Sequence, residues 1–247
     1  MLDFYHRICR PENAWLSVGG SIKPGEVEEF WVSKNEDWKP GKAPSAPYDR
    51  TPAMPILSTA GIEGAYELHG KEFPGNDPAI AQRLLAIIAI GSGKGSAMFE
   101  RLREGRGWSY RQEAVLYPTA NGFVPRLIMA SGDKMAPIDL IKGMREELLD
   151  AVNAWTDADL ARARGMAEGI LLRGVEMSPL YFNSYWPVTT SLDDETFLSG
   201  YWLMKTGRQW DPNKLVGQMG LLTLSELKES ALDIINGASS GFILASG

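Results

Sequence analysis

The chain has 247 residues, a formal net charge of −6, one Cys and two His. A lone Cys excludes an internal disulfide and a CxxC metal site, and the acidic balance argues against non-specific nucleic-acid binding. No apolar run approaches the ~18 residues of a bilayer-spanning helix, so membrane insertion is not expected.

The N-terminal stretch Met1–Trp15 lacks the apolar core of a signal peptide. That leaves the compartment open, with bacterial cytoplasm and periplasm both compatible. A hydrophobic fraction of 44% is that of a globular chain with a real core.

Ala14-Trp15-Leu16-Ser17-Val18 is short, apolar and β-prone, and Gly19-Gly20 ends it. Ser21 and Pro24 then open a helix whose first turns carry Glu26, Glu28 and Glu29, and which runs out near Asn35. Residues 39–55 hold Pro40, Pro44, Pro47, Pro52 and Pro55 among small residues, and predict an extended linker. A lone strand–helix unit buries little. Residues 1–38 are therefore expected to belong to a larger unit or to dock on the main domain, residues 56–247.

In that domain Ile62–Leu68 predicts a strand. Asp77-Pro78 opens a helix with Ile80, Leu84, Leu85, Ile87 and Ile88 at core spacing, broken by Gly91-Ser92-Gly93. A shorter helix follows over Ser96–Arg103, burying Met98, Phe99 and Leu102 and ended by Gly105 and Gly107. Trp108–Tyr117 and Gly122–Ser131 predict a hairpin around Pro118–Gly122. Helices are expected over about 136–154, 157–175 (capped by Asp157), 193–206 and 223–236, then a strand over Gly241–Ala245. Strands and helices in blocks favour an α+β fold, with a mixed, largely antiparallel sheet and helices on one face. The closing strand Gly241–Ala245 faintly echoes the strand after Arg10-Pro11-Glu12-Asn13, as a duplicated domain would.

Neither His6 nor His69 lies in HExxH or HxxEH, and no His pair has helical spacing, so no metal ligand set is expected. No G-x-S-x-G elbow is present, and Cys9, although flanked by Arg7 and Arg10, reads as an ordinary thiol. Gly91-Ser-Gly-Lys-Gly-Ser96 imitates a phosphate loop. It has Ile88 and Gly95 where the P-loop needs Gly and Ser or Thr, and it follows a helix rather than a strand. A third stretch, Leu102-Arg-Glu-Gly-Arg-Gly-Trp-Ser-Tyr110, couples a helix end to a strand. Arg103 and Tyr110 can face one side there, either as a surface Arg and a strand Tyr or as a forked donor beside a polar oxygen on a rigid ring, suited to a peptide carbonyl or an oxyanion.

The run Gly91–Tyr110 resembles the C-terminal domain of the M16 (pitrilysin/insulinase, processing-peptidase-like) zinc peptidases, with their LF-x-x-LRE-x-RG-x-x-Y stretch. The turn Ala120-Asn121-Gly122, the strand Arg126–Ser131, the segment Phe4–Ala14 and the helix start Trp155–Arg164 are similar to that family in the same order. The glycine run departs from the family's pattern at Lys94.

The resemblance implies an M16 half-domain and a two-domain active unit. One domain carries HxxEH and zinc. The other is metal-free and contacts substrate near the scissile bond through an Arg and a Tyr, here Arg103 and Tyr110. This chain has the second set only. The expected function is thus the substrate-binding half of a zinc metalloendopeptidase, forming one wall of a peptide chamber. It would have no catalytic residue of its own, and zinc would sit only in an HxxEH-bearing partner domain or subunit. Residues 1–38 would be the tail of a preceding M16-like domain. The competing reading is a non-catalytic scaffold of the same fold. The aromatics Trp155, Tyr181, Phe182, Tyr185 and Trp186 fit either an interface or a core.

Overall fold

The computed structural model describes residues 10, 14, 16–34, 63–119, 121–132, 135–173 and 192–245. Their order is α1 (Pro24–Lys34), β1 (Glu63–His69), β2 (Phe73–Pro74), α2 (Ile80–Gly91), a π-helix (Met98–Gly105), β3 (Arg111–Pro118), β4 (Gly122–Ser131), α3 (Pro137–Ala154), α4 (Asp157–Arg173), α5 (Leu192–Thr206), α6 (Pro212–Leu221), α7 (Leu224–Asn236) and β5 (Ser239–Ala245).

All described strand pairs are antiparallel. β4 is central, with β3 on one side and β1 on the other, β5 outside β1, and β2 beside the start of β4. The register sets Tyr66 opposite Met129, Leu68 opposite Leu127 and Ala114 opposite Leu127. These side chains are buried and make one face of the sheet. On the other face Glu67 forms a two-pronged ion pair with Arg126, whose guanidinium lies 4.8 Å from the Tyr117 ring centre. One greasy and one polar face is the pattern of an antiparallel sheet covered by helices on one side. The fold is α+β, as expected, and every described strand pair of the sheet, expected to be largely antiparallel, is antiparallel.

The core centres on α2. Ile80, Leu84, Leu85, Ile87, Ile88 and Ile90 are all buried, as are its alanines, and from Leu84 to Ile90 every residue is apolar, with Gln82 and Arg83 polar near the start. Such a stretch is stable only when enclosed. The helix is packed by α4, α6, α7 and β3. Asp77 starts it: its carboxylate accepts from the Ala79 N–H at 2.8 Å and pairs with Arg83 at 3.0 Å. A second focus is aromatic, with Phe123 6.2 Å from Trp202 and Trp202 edge-on to Trp210 at 5.1 Å.

Several boundaries moved. Ala14 and residues 16–18 pair with no described strand; Ser17 instead donates its hydroxyl to the Thr196 carbonyl of α5 at 2.6 Å. The helix after them forms as expected and has no buried residue. The linker lies outside the described residues. The Ser96–Arg103 helix begins at Met98 and is wound as a π-helix. α6 was not expected, although Asp211-Pro212 repeats the Asp77-Pro78 signal and Asp211 caps it through Lys214 N–H at 2.9 Å. The cap of α4 is Thr156 rather than Asp157. The Asp159 carboxylate reaches back to Thr156 N at 2.8 Å and Thr156 Oγ1 at 2.9 Å. Trp155 is a core residue, whereas Tyr181, Phe182, Tyr185 and Trp186 lie outside the described residues.

Helix starts here titrate. At α7 Thr223 and Glu226 form a complete capping box. The hydroxyl and then the N–H of Thr223 hold the Glu226 carboxyl below its ordinary value. At Asp159 burial pushes the carboxyl up, but the bonds from Thr156 and the charge of Arg162 outweigh it. A carboxyl lowered in the folded state contributes stability above its unfolded pKa and loses it as pH falls through the folded value. The melting temperature is therefore expected to drop below about pH 4, the ordinary carboxylate range. The deficit of Glu226→Ala should be larger at pH 6 than at pH 3. Equal deficits at the two pH values would remove this contribution.

Candidate substrate-binding site

The site grows out of the join between the π-helix and β3. The Arg106 N–H bonds back five residues to Arg101 O at 3.0 Å, the mark of a π-turn, a winding often found at functional sites. Gly107, at φ +66°, then turns the chain out of the helix. Its N–H closes on Arg103 O at 3.0 Å and the next N–H, of Trp108, on Leu102 O at 2.9 Å. A left-handed residue that satisfies the last helical carbonyls is the common glycine stop.

Beyond it Ser109 is 2% exposed, with its hydroxyl 2.7 Å from Arg111 O and 2.9 Å from Ala130 O. That hydroxyl, bonding one of them at a time, ties the bend to β4. The backbone on both sides of Tyr110 is thus anchored, while Tyr110 itself is 90% exposed.

Arg103 and Tyr110 meet across this turn. An Arg103 Nη1–H donates to the backbone carbonyl of Tyr110 at 3.4 Å, not to its phenol. The Arg103 guanidinium also lies 5.0 Å from the Phe99 ring centre and 3.9 Å from a Glu104 carboxylate oxygen, and its side chain is 41% exposed. The result is a forked donor and a phenol on one solvent-facing turn. Both can donate to a carbonyl or to an oxygen gaining negative charge.

Sequence reasoning missed what holds the turn to α3. Arg106 pairs with Glu147, and Trp108 rests against Gly143. The Arg-Gly-Trp run was visible, but its partners lie some forty residues on, with no local signal to join them.

The Gly91–Ser96 turn is a packing joint. A Cβ at Gly91 would come 2.3 Å from the Ala114 Cβ, and one at Gly95 would come 2.5 Å from the Arg162 side chain. Ser96, fully buried, accepts from the Phe99 N–H at 3.3 Å. Lys94 is exposed at its tip.

Among the described residues no group of three or more His, Cys, Asp or Glu is placed to hold a metal ion. His69 ends β1, exposed, while His6 and Cys9 lie outside the described residues. Also among the described residues, no helix is long and apolar enough to cross a membrane.

The chain belongs to the peptidase M16 inactive domain family, whose family model matches residues 1–166. Solved structures share the fold. A protease from Helicobacter pylori is 16% identical, with a TM-score of 0.70 over 97% of this chain and 57% of that one. A peptidase M16 inactive domain from Pseudomonas fluorescens is 16% identical, with a TM-score of 0.56 over 73% of this chain and 40% of that one. A chain of complex III2 from Candida albicans is 11% identical, with a TM-score of 0.55 over 75% of this chain and 43% of that one. This chain therefore spans 40–57% of the length of these three. A comparison with curated proteins finds no match. At such identities the likeness carries the fold, and function has to be argued from the site.

Proposed function

We propose that this chain is the metal-free, substrate-binding half of an M16-type zinc metalloendopeptidase. It forms one wall of a peptide chamber, and an HxxEH-bearing domain or subunit supplies the zinc and the general base. Zinc held by that partner would supply the polarisation of the scissile carbonyl and the activation of water. This chain's part is to place Arg103 and Tyr110 against the substrate backbone, where they donate to the carbonyl oxygen as it gains charge. Donors fixed in advance need no reorganisation during the reaction.

The observation that carries the reading is Tyr110, 90% exposed on a turn whose backbone is tied at both ends. Its phenol is packed against nothing among the described residues and is open to a ligand. Two features support the domain division into 1–38, a linker at 39–55 and 56–247. Helix α1 buries no residue, and the Pseudomonas fluorescens and Helicobacter pylori chains are matched over only 40% and 57% of their own length.

The purified chain alone is expected to cleave no peptide. Chelator-sensitive cleavage of a quenched fluorescent peptide by the chain without a companion would overturn the assignment. A non-catalytic scaffold is the second reading, favoured by the likeness to a chain of complex III2. The companion separates the two: one with HxxEH supports the peptidase half, and one without it supports the scaffold.

A further inference from the structure

We infer that Glu147 of α3 is a positioning residue for the Arg103–Tyr110 turn, acting through Arg106 and Trp108. This rests on the reading of that turn as the substrate contact. Arg106 follows the π-helix, three residues after Arg103, and Trp108 stands two before Tyr110. Arg106 Nε donates to Glu147 Oε1 at 2.6 Å, and its Nη2 pairs with the same oxygen. The guanidinium also lies 5.5 Å from the Trp108 ring centre. The far edge of that indole enters a gap in α3 left by Gly143, where a Cβ would stand 2.6 Å from Cη2 and 3.1 Å from Cζ3.

Gly143 and Glu147 are four residues apart and share one helix face. One face of α3 thus holds the turn twice, by a fitted ring and by a charge pair. Two observations set this pair apart from an ordinary surface ion pair, which contributes little. The Glu147 side chain is only 13% exposed, and the bond to it is short and charge-assisted. With Nε and Nη2 of Arg106 on Glu147, that arginine braces the turn and leaves Arg103 to face the substrate. Small displacements of positioned groups lower rates steeply, so slack here would act on turnover before binding.

The test is hydrogen exchange on the full chain, read over residues 103–110. Arg106 is half exposed, so Arg106→Ala leaves the core intact, and Glu147→Ala removes the other partner. Both are expected to speed exchange there at least about fivefold while α2 is unchanged, since the lost contacts tie only this segment. The swap Arg106→Glu with Glu147→Arg should restore most of the protection. Unchanged exchange over 103–110 in Arg106→Ala overturns the inference.

In the enzyme assembled with its companion, Glu147→Ala should lower kcat for a quenched fluorescent peptide about tenfold with KM within about twofold. Wild-type kcat despite faster exchange overturns the positioning role. If Arg103→Ala also leaves turnover unchanged, the substrate-contact reading fails instead, and the exchange result stands as architecture alone.

Discussion

On the proposed function, Arg103→Ala and Tyr110→Phe are each expected to lower the peptide turnover of an assembly with an HxxEH-bearing partner about 100-fold, the usual loss for one oxyanion donor. Bound zinc should not change. The two side chains project from a turn held by Gly107, Ser109 and Arg106, and neither is part of the buried core. Replacing them removes a donor without opening a cavity, so the melting temperature should move little. Tyr110→Phe is the cleaner variant, because it keeps the ring and deletes only the hydroxyl. The loss should fall mainly on kcat, since a donor aimed at developing charge binds the transition state more strongly than the substrate. Wild-type turnover in both variants refutes the role, and lost zinc would mean that they act through assembly instead.

Gly91→Val is expected to destabilise the chain by about 3 kcal/mol or more, at the upper end for overpacking. Gly91 is the last residue of α2 and lies against β3. A Cβ there would stand 2.3 Å from the Ala114 Cβ and 2.5 Å from the Ala114 nitrogen. The second contact is with backbone, which cannot rotate away. Ala114→Gly should therefore rescue the variant only in part. Because α2 is the axis of the core, relief by shifting the helix would disturb its packing on α4, α6 and α7. Chemical denaturation of the single and double variants measures both effects. A Gly91→Val chain as stable as wild type would mean that α2 and β3 do not approach this closely.

Much of this fold was legible from residue patterning. Ile80, Leu84, Leu85, Ile87 and Ile88, at core spacing after Asp77-Pro78, announced α2, and all five are buried. The Pro118–Gly122 turn gave the hairpin, and β3 and β4 pair across it. The misses have local causes. Gly217 and Gly220 hid α6 behind poor helix propensity, although Asp211-Pro212 announced its start. A π-turn has no sequence signature distinct from that of an α-turn, so the winding that carries Arg103 was out of reach. At Thr156 and Asp157 two capping residues compete, and the reciprocal bond from Asp159 decides for Thr156.

The site was half legible. Arg103 and Tyr110 stood out by spacing across a glycine turn, and the structure joins them through the Tyr110 carbonyl. What anchors them comes from Gly143 and Glu147, brought in by tertiary packing alone.

On the proposed function this chain works opposite an HxxEH-bearing zinc domain. The direct measurement is to purify the native assembly, read its polypeptides by mass spectrometry upstream of Met1 and in any companion, and count zinc by elemental analysis. An HxxEH segment is expected in the assembly, on the same polypeptide or a second one, with one zinc for each copy of this chain. An assembly with neither HxxEH nor zinc would contradict the proposed function and leave the scaffold reading in its place.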